Sequence, residues 1–439
     1  MSIQNPVIVI PAITGSELRD EYPVDPQVIW SAVLHKQYER GTLHPDDIRF
    51  DLLQPARVRA NALFPLIYSQ LIEELRYNLA DSPDKPVPVF PFAYDWRQPL
   101  VQTEALLKDF IAEVIGRTKL LRHYYKSKWM DDPRVNLVGH SMGGLVIAGY
   151  LQSAGATHSV GKVATLGTPF QGSFEAVLKV VTGTASLGSN GGNSREREAA
   201  RLTPALYHLV PDFDHAVVDP NGQPVDLFKV DAWQPGVIET LVTFISTFGR
   251  DPARRKADLQ TSARQLLQTL LDQAAAHRAR VRALDLASIG MDMKSWLAVI
   301  GIRAVTRVQL LMRTSDQGSP IFDLRADDRR DEWTPDFPSV RTGDQTVPYL
   351  GAKPPFLDPR HLVCVQPSDL GYFEMGDRVL RTATGLHGLL PNMNLVQRLI
   401  VAHFTGVVNF DNVWGMPAPD VNPSDWDPPV KGLRVRMKG

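Results

Sequence analysis

Short apolar runs alternate, in the first part of the chain, with longer segments whose apolar residues recur at helical spacing. Val7-Ile8-Val9-Ile10 is an unbroken apolar run ended by Pro11, which reads as a buried strand, with Thr14-Gly15-Ser16 following as a turn. Leu66, Ile67, Leu71, Ile72 and Leu75 then mark one face of a helix that stops before Asp81-Ser82-Pro83-Asp84. Val87-Pro88-Val89-Phe90 is a second strand, and Leu106, Leu107, Phe110, Ile111 and Val114 define a second helix. Val135-Asn136-Leu137-Val138 is a third strand that breaks at Gly139, and Leu145, Val146, Ile147, Tyr150 and Leu151 place a helix directly behind it. Lys162 to Leu166 is a fourth strand, closing on Gly167-Thr168-Pro169.

Strands alternating with helices of this length predict an α/β fold, a mostly parallel sheet with helices on both faces. The alternation stops after Ser173. Polar and helical sequence continues to about Leu297, and within it Leu259, Leu266, Leu267, Leu270 and Leu271 line one face of an amphipathic helix. The sheet pattern resumes with Arg303 to Met312 and with His361 to Val365, before a last helix carrying Leu395, Val396, Leu399 and Ile400.

The expected organisation is therefore one core built from residues 1–173 and 301–405, interrupted by a mainly helical cap at 174–300. A small, irregular, lid-like insertion is expected at about 20–65, and an irregular proline-rich tail at 406–439. The Gly- and Ser-rich run from Thr182 to Ser194 reads as a mobile segment, suited to a lid or to a plain connector. Arg254-Arg255-Lys256 and Arg278, Arg280 and Arg282 read as a solvated cap face, ahead of a contact with anionic lipid.

At 439 residues, 44% of them apolar, the chain has ample material for a large core. A formal net charge of −1 argues against a nucleic-acid partner. The single cysteine, Cys364, permits no internal disulfide and fits a reducing compartment. The N-terminal residues Met1 to Asn5 lack a basic region and run straight into a strand, unlike a signal peptide, and no apolar run reaches the length of a membrane span. A cytoplasmic location is the expectation.

The strand break is where chemistry enters. Gly139-His140-Ser141-Met142-Gly143 has the G-x-S-x-G pattern of a nucleophile elbow. A strand turning sharply into a helix crowds the positions two before and two after the apex, so glycine stands at both. The apex serine is exposed in a strained conformation, with a helix N-terminus behind it. Such a serine needs a base, and the base needs an orienting carboxylate, in the chain order Ser, Asp or Glu, His.

Of eleven histidines, His35, His44 and His123 precede the serine, His140 lies inside the elbow with its side chain pointing away from the hydroxyl, and His158, His208, His215 and His277 come too early. His361 begins a strand and His403 sits late on the last helix. His387, in the glycine-flanked Thr384-Gly385-Leu386-His387-Gly388, is the candidate base. Asp344, in the turn Gly343-Asp344-Gln345-Thr346-Val347-Pro348, is the candidate acid, with Asp369 and Asp377 as rivals. The oxyanion hole needs two backbone N–H groups. Met142, directly after the serine, supplies one, and Ile13, in the loop after the first strand, is the candidate for the other.

Four stretches together resemble the lecithin:cholesterol acyltransferase-like family of α/β hydrolases, which includes lysosomal phospholipase A2 and phospholipid:diacylglycerol acyltransferase. They are Val9 to Leu18, Tyr94-Asp95-Trp96-Arg97, Gly139 to Gly144 and Gly343 to Pro348. The resemblance implies an α/β-hydrolase fold, with Ser141, Asp344 and His387 as a triad and Ile13 and Met142 as oxyanion donors. It also implies an ion pair or hydrogen-bonded corner at Asp95 and Arg97 near the site's mouth. Ala12 departs from the glycine common in the family, and the single cysteine excludes the lid disulfide of secreted members.

The expected function is hydrolysis or acyl transfer of carboxylic esters, lipid or fatty-acyl esters first, through an acyl-serine and without metal or cofactor. The expected partner is the ester or lipid substrate, with room for a transient membrane-surface contact through cap or insertion. A non-lipid ester or lactone is the alternative substrate. A non-catalytic hydrolase fold that binds lipid or protein is the alternative of another class.

Overall fold

The computed structural model describes residues 3–21, 24–31, 35–36, 41–43, 58–183, 194–249, 258–324, 330–331, 342–371, 374, 385–407 and 412–436. Within them the chain runs β1 (Val7–Ile10), β2 (Ser16–Asp20), β3 (Gln27–Ser31), β4 (His35–Lys36), β5 (Val58–Leu63), α1 (Pro65–Asn78), β6 (Val89–Pro91) and α2 (Leu100–Lys119). Then follow β7 (Val135–His140), α3 (Met142–Ala154), β8 (Val160–Leu166), α4 (Phe174–Thr182), α5 (Ser194–Arg201), β9 (Val217–Val218), α6 (Pro235–Phe248), α7 (Leu259–Arg282) and β10 (Trp296–Gly301). The short strands β11 (Thr306–Arg307), β12 (Leu310–Thr314), β13 (Pro320–Asp323) and β14 (Arg330–Asp331) precede β15 (Val363–Val365) and α8 (Asn394–Thr405).

Six strands form a parallel sheet in the order β15-β10-β8-β7-β1-β6. Its strands are unbroken apolar runs because both faces are covered. Val7 and Val9 turn to one face, where they pack with Leu71 and Leu75 of α1 and Leu395 and Leu399 of α8. Ile8 and Ile10 turn to the other, where Leu107 of α2, Leu145 of α3 and Leu270 of α7 meet them. From β1 the chain crosses to the edge at β6 and returns to the opposite side of β1 at β7. The loops after β1 and β7 thus diverge over adjacent strands, the crevice where open α/β sheets bind ligands.

Three expectations change. The fourth partner of the sheet after β8 is β10, not a strand at Arg303–Met312. Trp296 to Gly301 is buried at every position, whereas Arg303, Arg307 and Gln309 interrupt the later segment, which divides into β11 and β12 in small side sheets. The stretch after Asp20 is not irregular where described, since β2 to β5 form an antiparallel sheet in the order β4-β3-β2-β5. The tail is anchored as well: Cys364 and Met416 exchange backbone hydrogen bonds along the edge of β15, which covers unpaired edge groups.

Of the arginines near the end of α7, Arg278 departs from the solvated face, while Arg282 stays exposed and Arg280 half-buried. Arg278 is buried, pairs with Asp212, and donates from Nη2 to the carbonyls of His208 at 2.8 Å and Val210 at 3.2 Å. Arg280 pairs with buried Glu104 of α2 at 2.9 Å, and Arg282 reaches Asp212 at 2.9 Å. These pairs tie α7 to the core. Arg278→Leu removes the one cation that fully buries itself against Asp212 and the two carbonyls, so a loss of about 3 kcal/mol or more is expected, read as a lowered midpoint in urea. Arg254-Arg255-Lys256 and residues 184–193 of the glycine-rich run lie outside the described residues.

Candidate active site

Ser141 sits at the tip of β7 with φ +53° and ψ −123°, a conformation that L-residues rarely adopt. Its N–H is held by the Leu166 carbonyl of β8 at 2.8 Å, so the neighbouring strand helps to maintain the strain. The crowding expected around the apex is real. A Cβ added at Gly143 would stand 2.4 Å from the Ile10 carbonyl oxygen of β1. Gly143→Ala should therefore cost about 1–3 kcal/mol through overpacking. A melt lowered together with a loss of esterase rate is the expected readout.

His387 Nε2 lies 2.9 Å from Ser141 Oγ, and His387 Nδ1 lies 2.6 Å from Asp344 Oδ2. A carboxylate only accepts, so Nδ1 carries the proton and Nε2 is left to accept from the serine hydroxyl. The other carboxylate oxygen of Asp344 accepts from the backbone N–H groups of Thr346 at 3.0 Å and Val347 at 2.7 Å. The tight backbone fold of the turn aims these two donors at one oxygen. The His387 N–H donates to the Asp344 carbonyl at 3.0 Å, locking the two loops together. Gly167, at the end of β8, has φ +56°, and a Cβ there would stand 3.0 Å from both Asp344 Oδ2 and His387 Nδ1. Only glycine lets that loop pass beneath the pair.

The loop after β1 is the other half of the site. A turn closes from Gly15 N–H to the Ala12 carbonyl at 3.0 Å, with Ile13 and Thr14 at its tip and Thr14 at φ +59°. Tyr94 donates its hydroxyl to the Pro11 carbonyl at 2.8 Å, the Tyr94 N–H reaches Ser16 Oγ at 3.2 Å, and the Trp96 indole reaches the Ser16 carbonyl at 3.2 Å. Asp95 and Arg97 form the ion pair the resemblance implied, at 2.6 Å, and Arg97 also donates to the Gly41 carbonyl at 2.7 Å. The Tyr-Asp-Trp-Arg segment is thus a brace for the loop that carries Ile13. Arg97 beside it holds the Asp95 carboxyl below its ordinary range against the opposing effect of burial.

Ser141, His387, Ile13 and the braced loop open into one cavity of about 440 Å³. Leu18, Trp30, Trp96, Ala176, Leu206 and Leu209 give it a mostly apolar wall; of its charged wall residues, Lys179 and Glu196 pair with each other at 3.0 Å and Arg97 pairs with Asp95, and Glu175 also lines it. Met142 begins α3 and is fully buried beside Ser141.

The rivals lie elsewhere. Asp369 accepts from the Gln366 N–H, the Trp414 indole and Arg436, and Asp377 is outside the described residues. His361 bonds the Asp427 carbonyl, and His403 the Ser295 carbonyl. Sequence reasoning missed Tyr68 and passed over His140, both of which touch this site's frame. A tyrosine placed on the buried stripe of α1, between Ile67 and Leu71, was the available signal, since a buried phenol needs a partner. No group of three or more metal-ligating side chains gathers among the described residues, and none of their helices is long and apolar enough to cross a membrane.

Residues 66–239 match the family model of lecithin:cholesterol acyltransferase. No curated protein matches the chain. Among solved structures, the crystal structure of a Tle4–Tli4 complex contains a chain that is 16% identical, with a TM-score of 0.54 over 81% of this chain and 90% of that one. Lipase BlEst2 of Bacillus licheniformis in its mature form is 13% identical, covering 68% of this chain and 66% of its own, with a TM-score of 0.26. Parallel sheet, serine elbow and family match together give this chain the α/β-hydrolase fold and a resemblance to the lecithin:cholesterol acyltransferase family.

Proposed function

We propose that this protein is a serine hydrolase or acyltransferase of carboxylic esters, acting on lipid or fatty-acyl esters through an acyl-Ser141 intermediate. The observation that carries the reading is the hydrogen-bonded series Asp344–His387–Ser141 opening into an apolar cavity.

In the proposed reaction, His387 Nε2 takes the hydroxyl proton as Ser141 Oγ bonds to the ester carbonyl carbon. Asp344 stabilises the imidazolium so formed. The backbone N–H groups of Met142 and Ile13 hold the oxyanion, at the N-terminus of α3 where negative charge is favoured. Collapse of the tetrahedral intermediate breaks the bond to the alcohol, which leaves with the proton from His387. Water or a second alcohol then attacks the acyl-serine with His387 again as base, giving a free acid or a new ester. An acyl chain seated among Leu18, Trp30, Trp96 and Leu206 would remove apolar surface from water, each methylene contributing about 0.8 kcal/mol. That contribution favours lipid esters over small polar ones.

A fluorophosphonate probe and a series of esters from acetate to long acyl chains test the reading, each with and without an added alcohol acceptor. Stoichiometric labelling and kcat/KM rising with chain length are expected. An unlabelled protein would favour a binding module, and a flat series would favour a non-lipid ester.

A further inference from the structure

Tyr68 and His140 are both almost wholly buried, at 1% and 3% exposure, against the inner side of the site. Burying a phenol and an imidazole is costly unless every polar atom finds a partner, and apolar side chains would fill the same space more cheaply. Their hydrogen bonds run in one direction. His140 Nε2 lies 3.0 Å from the backbone carbonyl of His387, which can only accept, so Nε2 carries the proton. Burial holds the His140 pKa down to about 3, so the ring is neutral and Nδ1 is an acceptor. The Tyr68 hydroxyl, 2.9 Å away, donates to it. The same phenol oxygen accepts the Ala12 N–H at 2.8 Å. One continuous series therefore joins the turn bearing Ile13 to the residue proposed as the base.

The frame around this series is stiff. His387 is gripped at its N–H by the Asp344 carbonyl and at its carbonyl by His140. The start of α1, which carries Tyr68, is tied to the segment after His387 by Asn392 Nδ2 donating to the Leu66 carbonyl at 2.8 Å. On the other flank of the turn, Tyr94 holds the Pro11 carbonyl. Gly15 lets the turn close on Tyr68, since a Cβ there would stand 3.0 Å from the phenol oxygen.

We propose that Tyr68 and His140 are a positioning pair that fixes the oxyanion turn at Ala12–Ile13 relative to His387, a role that rests on the acyl-serine reading above. The pair holds the donor for the oxyanion and the base for the proton in one frame, so that both meet the tetrahedral intermediate together. Neither residue transfers a proton in the reaction.

Tyr68→Phe removes one oxygen and keeps the ring. It should lower kcat for an acetate ester by about tenfold to a hundredfold, with KM changed by no more than about twofold. A boronic acid that forms a tetrahedral adduct on Ser141 should bind more weakly by a similar factor. His140→Leu should lose at least as much rate. His140→Gln retains an N–H directed at the His387 carbonyl and should recover part of the loss, which a purely space-filling role would not produce. If His140→Leu does not fold, Tyr68→Phe decides by itself. Wild-type kcat and boronate affinity in Tyr68→Phe, or a His140→Gln variant no faster than His140→Leu, would overturn the pair. A wild-type protein that neither labels with a fluorophosphonate nor cleaves any ester would instead remove the acyl-serine reading, and the pair with it.

Discussion

Ser141→Ala should lower ester turnover by a factor on the order of 10⁶ while leaving the fold intact. Among the described residues the hydroxyl bonds His387 Nε2, whose ring faces the cavity, so its removal need not strand that nitrogen. Alanine at φ +53° is as strained as serine, so the midpoint of unfolding should barely move. Ser141→Gly separates the two properties. It should be equally inactive yet gain stability by up to about 1 kcal/mol, because glycine adopts that conformation without strain. A thermal melt beside an esterase assay reads both effects. Residual turnover at the wild-type level in Ser141→Ala would assign the nucleophile to another residue.

Asp344→Asn should retain the fold and lose about 10⁴ in kcat. The physical reason lies in the turn itself. Oδ1 accepts from Thr346 and Val347, so an asparagine there must keep its oxygen in that position. Its NH2 group then replaces Oδ2 and faces His387 Nδ1. Two donors cannot share that contact, so the imidazole takes the other tautomer and presents Nε2–H to Ser141. A base in that state has no lone pair for the serine proton. Asp369→Asn is the control, because Asp369 bonds Gln366, Trp414 and Arg436 away from the triad. Asp377→Asn belongs beside it. If either of these abolished turnover while Asp344→Asn did not, the acid would be misassigned.

The parallel sheet and the elbow were legible because their residues leave little choice. Val7 to Ile10 and Val135 to Val138 suit burial on both faces, and Gly139 and Gly143 are required by crowding at a sharp turn. Chain order, together with the glycine-flanked loop at His387 and the turn at Asp344, pointed to these two residues, and the structure brings both to Ser141. The strand after β8 was misplaced because Trp296 to Gly301 is an apolar run of only six residues, which cannot be told from a helix segment by periodicity. Arg278 looked like surface charge since its partner Asp212 lies 66 residues earlier, a pairing no local pattern encodes. The Tyr68–His140 link was hidden for the same reason, joining residues 72 apart. The four-stranded sheet after the first turn was obscured by Arg19, Gln27 and Arg59, polar residues on strands with one face towards solvent.

An acyl group caught on Ser141 is the most direct observation to seek. The full chain is mixed with a long-chain activated ester, quenched in acid during the first turnovers, digested, and read by peptide mass. The peptide containing Ser141 should carry the mass of the acyl group, should lose it on addition of hydroxylamine, and should remain unmodified in Ser141→Ala. Turnover of the ester with that peptide unmodified, or with the acyl group on a different residue, would contradict acyl-Ser141 chemistry.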